Sequence, residues 1–275
     1  MRETFPKLIQ PLNALRLEKN WPSLNGNAPR PDNFPLLLLK KINAYAICNA
    51  SQYQTSAIAY TDIGAFPGVN IEFPGGAYAD TIHAEQCAII NARLNGASQL
   101  IALDSYSSPC GHCRQFMLET GNPKLPIRYL HHQVEQEHSL DELLPYSFTL
   151  SSGEAHIFSN QNQGYQPILI QAHSTYKPPC VDLHLGPICV SGTAIESAAW
   201  NPSITPAQAA FISFLTAYGL EALHGISDEK IYFSQPQASM CSAMLDFQAN
   251  TQVVERAIRQ LAKLINSPKR QLKPE

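Results

Sequence analysis

Residues 81–96 read TIHAEQCAIINARLNG, and the fold turns on how a histidine and a glutamate two positions apart, His83 and Glu85, are held there. In a regular helix each residue turns the chain by roughly 100°, so these two side chains would point to nearly opposite sides. In a strand they would share a face. The run from Glu85 carries apolar residues at helical spacing and ends in Gly96, which marks a helix beginning close to His83. In the first turn the backbone is not yet regular, so both side chains can enter one pocket.

Downstream, Cys110 and Cys113 stand three apart behind Pro109, a pattern that opens another helix and puts both sulfurs on one side of its first turn. Two thiolates and one imidazole supply three ligands to a zinc ion and leave its fourth tetrahedral position to water. That is the catalytic arrangement, because structural zinc sites are closed by four protein ligands. Helix N-termini favour the thiolate form, and zinc brings the pKa of its water towards neutrality. His83, Cys110 and Cys113 are therefore the expected ligands. Glu85 is expected to move protons beside that water without binding the ion.

The surrounding segments alternate in type. A helix in FPLLLLKKINAYAI runs to about residue 47, followed by strands in SAIAYTDI (56–63) and GVNIEF (68–73) and by the helix from His83. A buried strand LIALDS (100–105), a helix opened by SPCGHCRQFMLET (108–120) and a strand PIRYLH (126–131) come next. Such alternation predicts an α/β sheet covered on both faces. LDELLPYSFTL closes the unit at 150, and the polar stretch SSGEAHIFSNQNQGYQ after it has linker composition. HHQVEQEH, with His131, His132 and His138, is expected to be a solvated loop and not a second metal site.

A repeat then appears. SQYQTSAIAY at 51, GVNIEF at 68 and IHAEQCAII at 82 find weak echoes, in the same order and at nearly constant spacing, in STYKPPCVDL at 174, GTAIES at 192 and TPAQAAFIS at 205. Pro206 then falls opposite His83 and Gln208 opposite Glu85, and only a lone Cys241 stands in place of the paired cysteines. The expected organisation is a helical extension (1–30), a catalytic domain (31–150), a linker (151–165) and a degenerate, non-catalytic copy (166–275).

The H-x-E…P-C-x-x-C pattern is a signature of zinc-dependent base deaminases. GVNIEF, HAEQCAI and SSPCGHCRQFM, followed by LDELLP and the degenerate copy, together resemble the two-domain, homodimeric cytidine deaminases from about residue 35 onward. The resemblance implies two three-layer α/β/α units, each with a central mixed sheet, and one zinc ion per chain. It implies hydrolytic deamination of cytidine and 2′-deoxycytidine, with zinc-bound hydroxide attacking C4 and Glu85 carrying protons to ring N3 and then to the departing amine. It further implies that Asn70 and Glu72 grip the ribose 3′-hydroxyl, that the Ala84 N–H meets the base O2, and that the Ser108 carbonyl meets the leaving amine. By the same resemblance Tyr53 would stand against the nucleoside, where the family has a phenylalanine. A partner chain would complete part of each pocket.

Several residues also have plainer readings. Alone, Asn70 and Glu72 would be polar residues on an exposed strand face, and Tyr53 would serve equally as packing. Cys48, Cys87, Cys180 and Cys189 are expected to be small buried apolar groups. His112, between the two cysteines, points away from their shared side and is not expected to bind metal.

Bulk properties exclude other classes. The 275 residues are 44% hydrophobic and 15% charged, enough for two packed cores. A net charge of −3 and no basic run longer than a pair such as Lys40-Lys41 give no footprint for nucleic acid. The longest apolar stretch near the N-terminus is broken by charges too early to span a bilayer, and a secretory signal is not expected there. Seven cysteines, an odd number with two in a metal-type pair, point to a reducing, cytoplasmic setting. A polynucleotide editor fits poorly, because Glu72 on a 3′-hydroxyl would obstruct a 3′-phosphodiester and the acidic chain offers no backbone grip. A zinc-stabilised binding module would need neither Glu85 nor an open zinc position.

Overall fold

A computed structural model describes residues 30–77, 80–149, 180–195, 197–199, 201–235 and 248–267. The expected N-terminal extension up to residue 29, the linker and Cys241 lie outside the described residues. The first unit runs α1 (Leu36–Asn43), β1 (Ser56–Thr61), β2 (Gly64–Val69), α2 (Ala84–Leu94), β3 (Leu100–Ser105), α3 (Gly111–Leu118), β4 (Pro126–His131), β5 (Val134–Ser139) and the single turn α4 (Leu140–Leu143). Its sheet has the order β2-β1-β3-β4-β5, with β3 and β4 parallel and the other pairs antiparallel. This is the mixed sheet that was expected.

Both β1 and β2 are buried at every position, as strands covered on both faces must be. The register identifies the covers. Ser56 donates its hydroxyl to the Leu39 carbonyl of α1 at 2.8 Å. The next residue, Ala57, faces the other way and pairs with Gly68. A Cβ at Gly68 would come within 2.1 Å of the Ala88 nitrogen of α2. Thus α1 covers one face, α2 rests directly on the other, and the unit has three layers. On the α1 face, buried Arg128 grips buried Asp104 through Nε and Nη2 at 2.9 and 2.7 Å, and the Tyr60 hydroxyl donates to the same carboxylate at 2.9 Å.

The second unit repeats the plan with β6 (Cys180–Leu185), β7 (Ile188–Thr193), α5 (Pro206–Ala217), β8 (Ile231–Ser234) and α6 (Gln248–Ile265). Its order β7-β6-β8 and antiparallel pairings reproduce β2-β1-β3. Gly192 presses on α5 as Gly68 does on α2, 2.1 Å from the Ala210 nitrogen to a Cβ placed there. The chain is a duplicated α/β fold.

The duplication corrects the residue matching. β6 begins 124 residues after β1 (Cys180 against Ser56), whereas α5 begins 122 after α2 (Pro206 against Ala84), because the loop before the helix is two residues shorter. Thr205 therefore caps α5 where His83 caps α2. Ala207 stands opposite Glu85, and Gln208 is the counterpart of Gln86, not of Glu85.

The two units share one apolar core, with Phe73 edge-on to Phe211 at 5.8 Å between centroids. Across their boundary Gln86 Nε2 donates to the Pro202 carbonyl at 2.8 Å and Gln208 Nε2 donates to the Asp80 carbonyl at 2.7 Å. Equivalent residues contact each other's equivalents, the mark of an approximate two-fold relation.

Three local expectations need correction. The second strand is GAFPGV and not GVNIEF, whose Ile71 makes only single bridges to Ile47 and Ile82. Pro67 hid it, yet β2 is an edge strand, where a missing N–H is tolerated. The helix α1 stops at Asn43, short of residue 47. HHQVEQEH is a β-hairpin, turning through His132 and Gln133 at positive φ (49° and 66°) into a mostly exposed edge strand with no apolar alternation to read. Cys48 and Cys87 are buried as expected, but Cys189 is exposed on β7, and Cys180, at the open end of β6, is only half-buried and disulfide-bonded. No helix among the described residues is long and apolar enough to cross a membrane.

Candidate active site

Three element ends converge on the α2 face of the first sheet. His83 is the N-cap of α2 in extended conformation (φ −84°, ψ 156°), and Cys110 is the N-cap of α3 (φ −73°, ψ 168°). β3 ends between them at Ser105. Because His83 precedes the helix proper, it is released from the helical spacing that would have turned it away from Glu85.

His83 Nδ1 lies 3.4 Å from Cys110 Sγ and 3.3 Å from Cys113 Sγ, and the sulfurs are 3.7 Å apart. A tetrahedral ion about 2.3 Å from sulfur and about 2.0 Å from nitrogen would separate S from S by about 3.8 Å and S from N by about 3.5 Å. The donor set fits zinc. Glu85 adjoins it as a buried carboxylate. Its Oε2 accepts from Cys113 Sγ at 3.2 Å and its Oε1 from the Ser105 hydroxyl at 3.2 Å.

The titration behaviour follows from this crowding. Hydrogen bonding from Cys113, opposed by burial and aided by His83, holds the Cys110 thiol down at about 3. Burial, then the neighbouring Cys110 and Glu85, push Cys113 well up. For His83, burial pulls the imidazole down, but the Cys110 thiolate outweighs it and the net shift is upward. Burial raises the Glu85 carboxyl. Anionic sulfur beside exchangeable protons is a site ready to trade those protons for a cation.

A second trio, Asp182, His184 and Cys189, clusters on the β6–β7 surface. There Ser191 donates to Asp182, and Ser234 pairs with His184 at 2.7 Å. Asp182 and His184 are partly buried and Cys189 is exposed, and among the described residues no buried carboxylate adjoins the trio as Glu85 adjoins Cys113.

The remaining expected residues divide by what they touch. Asn70 accepts from the Thr55 N–H at 3.0 Å and donates to the Tyr53 carbonyl at 2.8 Å. Glu72 Oε2 accepts from the backbone N–H groups of Ala50 and Ser51 at 2.8 and 3.1 Å. Both therefore tie down the 50–55 loop. That loop presents Tyr53 to solvent at 56% exposure, which rules out core packing for it. The Ile71–Ile82 bridge brings the Asn70–Glu72 segment beside His83. Ala84 is the buried first residue of α2, where backbone N–H groups lack helical partners, and Ser108 lies two residues before Cys110 in the β3–α3 loop.

Ser105, Gln86 and His112 were not foreseen in the site. Ser105 was detectable as the last residue of a buried strand, the end at which α/β folds build their sites. His112 is no member of the ligand trio. Its ring stacks on that of His83 at 4.7 Å and 13°, a contact that no spacing in the sequence signals.

Residues 35–128 match the model of the cytidine and deoxycytidylate deaminase zinc-binding region. Curated relatives include a cytidine deaminase of Proteus mirabilis, 34% identical over 77% of this chain and 76% of its own length. Another, from Mannheimia succiniciproducens, is 31% identical over 77% and 75%, and one from Yersinia pestis is 32% identical over 76% and 75%. With a zinc-shaped trio beside a buried glutamate, in a duplicated fold that these relatives match across three quarters of its length, the chain belongs to the cytidine deaminase family.

Proposed function

We propose that this protein deaminates cytidine and 2′-deoxycytidine hydrolytically, yielding the uridine nucleosides and ammonia. One observation carries this reading above all: a buried carboxylate, Glu85, 3.2 Å from one member of a three-ligand zinc set to which it does not itself belong. His83, Cys110 and Cys113 would hold one zinc ion per chain. Bound there, zinc supplies Lewis acidity and brings a water pKa towards neutrality.

The chain's own groups do the rest. Glu85 takes one proton from the attacking water and delivers it to ring N3, then takes the proton left on the added hydroxyl and passes it to the amine, which departs as ammonia while C4 becomes a carbonyl. Burial, which raises its pKa, makes it a readier proton acceptor than an exposed carboxylate. Ser105 steadies that carboxylate from the side away from Cys113. The Ala84 N–H meets the base O2, the Ser108 carbonyl receives the amine, and Tyr53 covers the nucleoside. Asn70 grips the ribose together with Glu72, whose Oε2 is taken by the loop, so that Oε1 is the acceptor for the 3′-hydroxyl.

Two chains would form a homodimer that walls each pocket, a role suited to Tyr53, Tyr146 and Phe148, large side chains at least half exposed on the single chain. The five free thiols among the described residues, the site pair included, outweigh the one disulfide at Cys180 and favour the reducing cytoplasm, and the reading calls for neither nucleic acid nor membrane. The domain limits proposed are those of the sequence, 31–150 catalytic and 166–275 non-catalytic, joined by 151–165 and preceded by the extension 1–30. Following the ultraviolet change of cytidine and deoxycytidine tests the activity. Turnover abolished by a zinc chelator and restored by zinc is expected, and no turnover of either nucleoside by zinc-loaded protein would refute it.

A further inference from the structure

We infer that Gln86 and His112 are positioning residues for His83, and that through them the second unit, which carries no chemistry of its own, sets the geometry of the metal centre. The inference rests on the reading of His83 as a ligand.

Gln86 fixes its own orientation. Its Oε1 accepts the His83 backbone N–H at 3.0 Å, so the amide nitrogen must be the donor on the other side. That Nε2 has two hydrogens and two acceptors, the Pro202 carbonyl at 2.8 Å and His112 Nε2 at 3.1 Å. His112 Nε2 must then be the bare nitrogen, with the proton on Nδ1, and the ring is held flat against the His83 imidazole. One fully buried side chain thereby grips the ligand's backbone, a ring that supports the ligand's face, and a carbonyl of the second unit. Partners of this kind orient a metal's ligands, and removing them typically costs about ten- to a hundredfold in metal affinity or activity.

The approximate two-fold supplies an internal control. Gln208 makes the equivalent bonds, accepting from the Thr205 N–H at 2.7 Å and donating to the Asp80 carbonyl at 2.7 Å, and among the described residues no histidine takes the place of His112 beside it. Each glutamine ties its unit to the other, but only Gln86 ends on a metal ligand.

The test is the rate at which full-length, zinc-loaded protein surrenders zinc to a chromogenic chelator, measured without substrate. Gln86→Leu and His112→Ala should release zinc about tenfold faster or more, while His112→Phe, which keeps a ring against His83, should recover much of the parental rate. Gln208→Leu should lower the unfolding temperature yet leave the release rate unchanged. Parental release rates in both Gln86→Leu and His112→Ala, or equal acceleration in Gln208→Leu, would overturn the inference. Should Gln86→Leu fail to fold, the comparison of His112→Ala with His112→Phe decides alone. A parent protein that cannot take up zinc at all would instead overturn the reading of His83 as a ligand.

Discussion

Glu72 uses one carboxylate oxygen to hold the Ala50 and Ser51 amides, and in the proposed reading the other accepts a sugar hydroxyl. Truncation to alanine removes a charged hydrogen bond worth about 1.5–3 kcal/mol, so kcat/KM for cytidine should fall roughly tenfold to more than a hundredfold while zinc content stays parental. Glu72→Gln keeps an acceptor for the loop and should lose less. Steady-state kinetics beside zinc analysis checks both, and a Glu72→Ala enzyme as good as the parent would remove Glu72 from the ribose. At this scale the cluster was legible, since His83, Glu85, Cys110 and Cys113, which the fold brings together, stand out by residue type and spacing alone. The supports were not. Ser105 reaches Glu85 only through the β1–β3 register, and His112 reaches His83 only because two helix caps meet.

The element on which the site depends most is α2, and Gly68 on β2 is what lets it lie so close. A methyl there would meet the Ala88 nitrogen at 2.1 Å and the Ala84 carbonyl at 2.4 Å, both backbone atoms that cannot swing aside. Gly68→Ala should therefore cost at least the 1–3 kcal/mol typical of overpacking, about that much in ΔG of unfolding. By moving the start of α2 it should also loosen zinc. Urea unfolding and metal analysis of the purified variant measure the two effects, and unchanged stability would mean that α2 does not press on β2 at this point. In the first unit the helices and the strands β1, β3 and β4 were readable because their apolar runs are strong. The strands that escaped were β2, with a proline tolerated only at a sheet edge, and β5, whose exposed edge carries almost no apolar signal.

Taken as a molecule, the chain is one α/β plan used twice, with Thr205 and Ala207 in the second copy where the first has His83 and Glu85, and the two copies packed together. The duplication was visible in sequence, but its matching slipped by one residue at the helix because strands and helix carry different offsets. A fragment ending at residue 150 would lose Phe211 from Phe73, the Pro202 carbonyl from Gln86, and Ser197 and Ala198 from buried Glu119. Bared apolar faces of this kind associate, so the fragment should be insoluble or inactive although it holds every proposed catalytic residue. Solubility, sedimentation and turnover of the fragment check this, and a soluble, fully active monomer would refute it. The central claim, that a buried glutamate beside a three-ligand zinc site runs the deamination, is tested most directly by Glu85→Gln, assayed for zinc per chain and for cytidine turnover in the same preparation. General acid–base catalysis contributes a factor of about 10² to 10⁴, and one residue serving several transfers should reach the upper end. The account predicts parental zinc with turnover down about 10⁴-fold; parental zinc with parental turnover would contradict it.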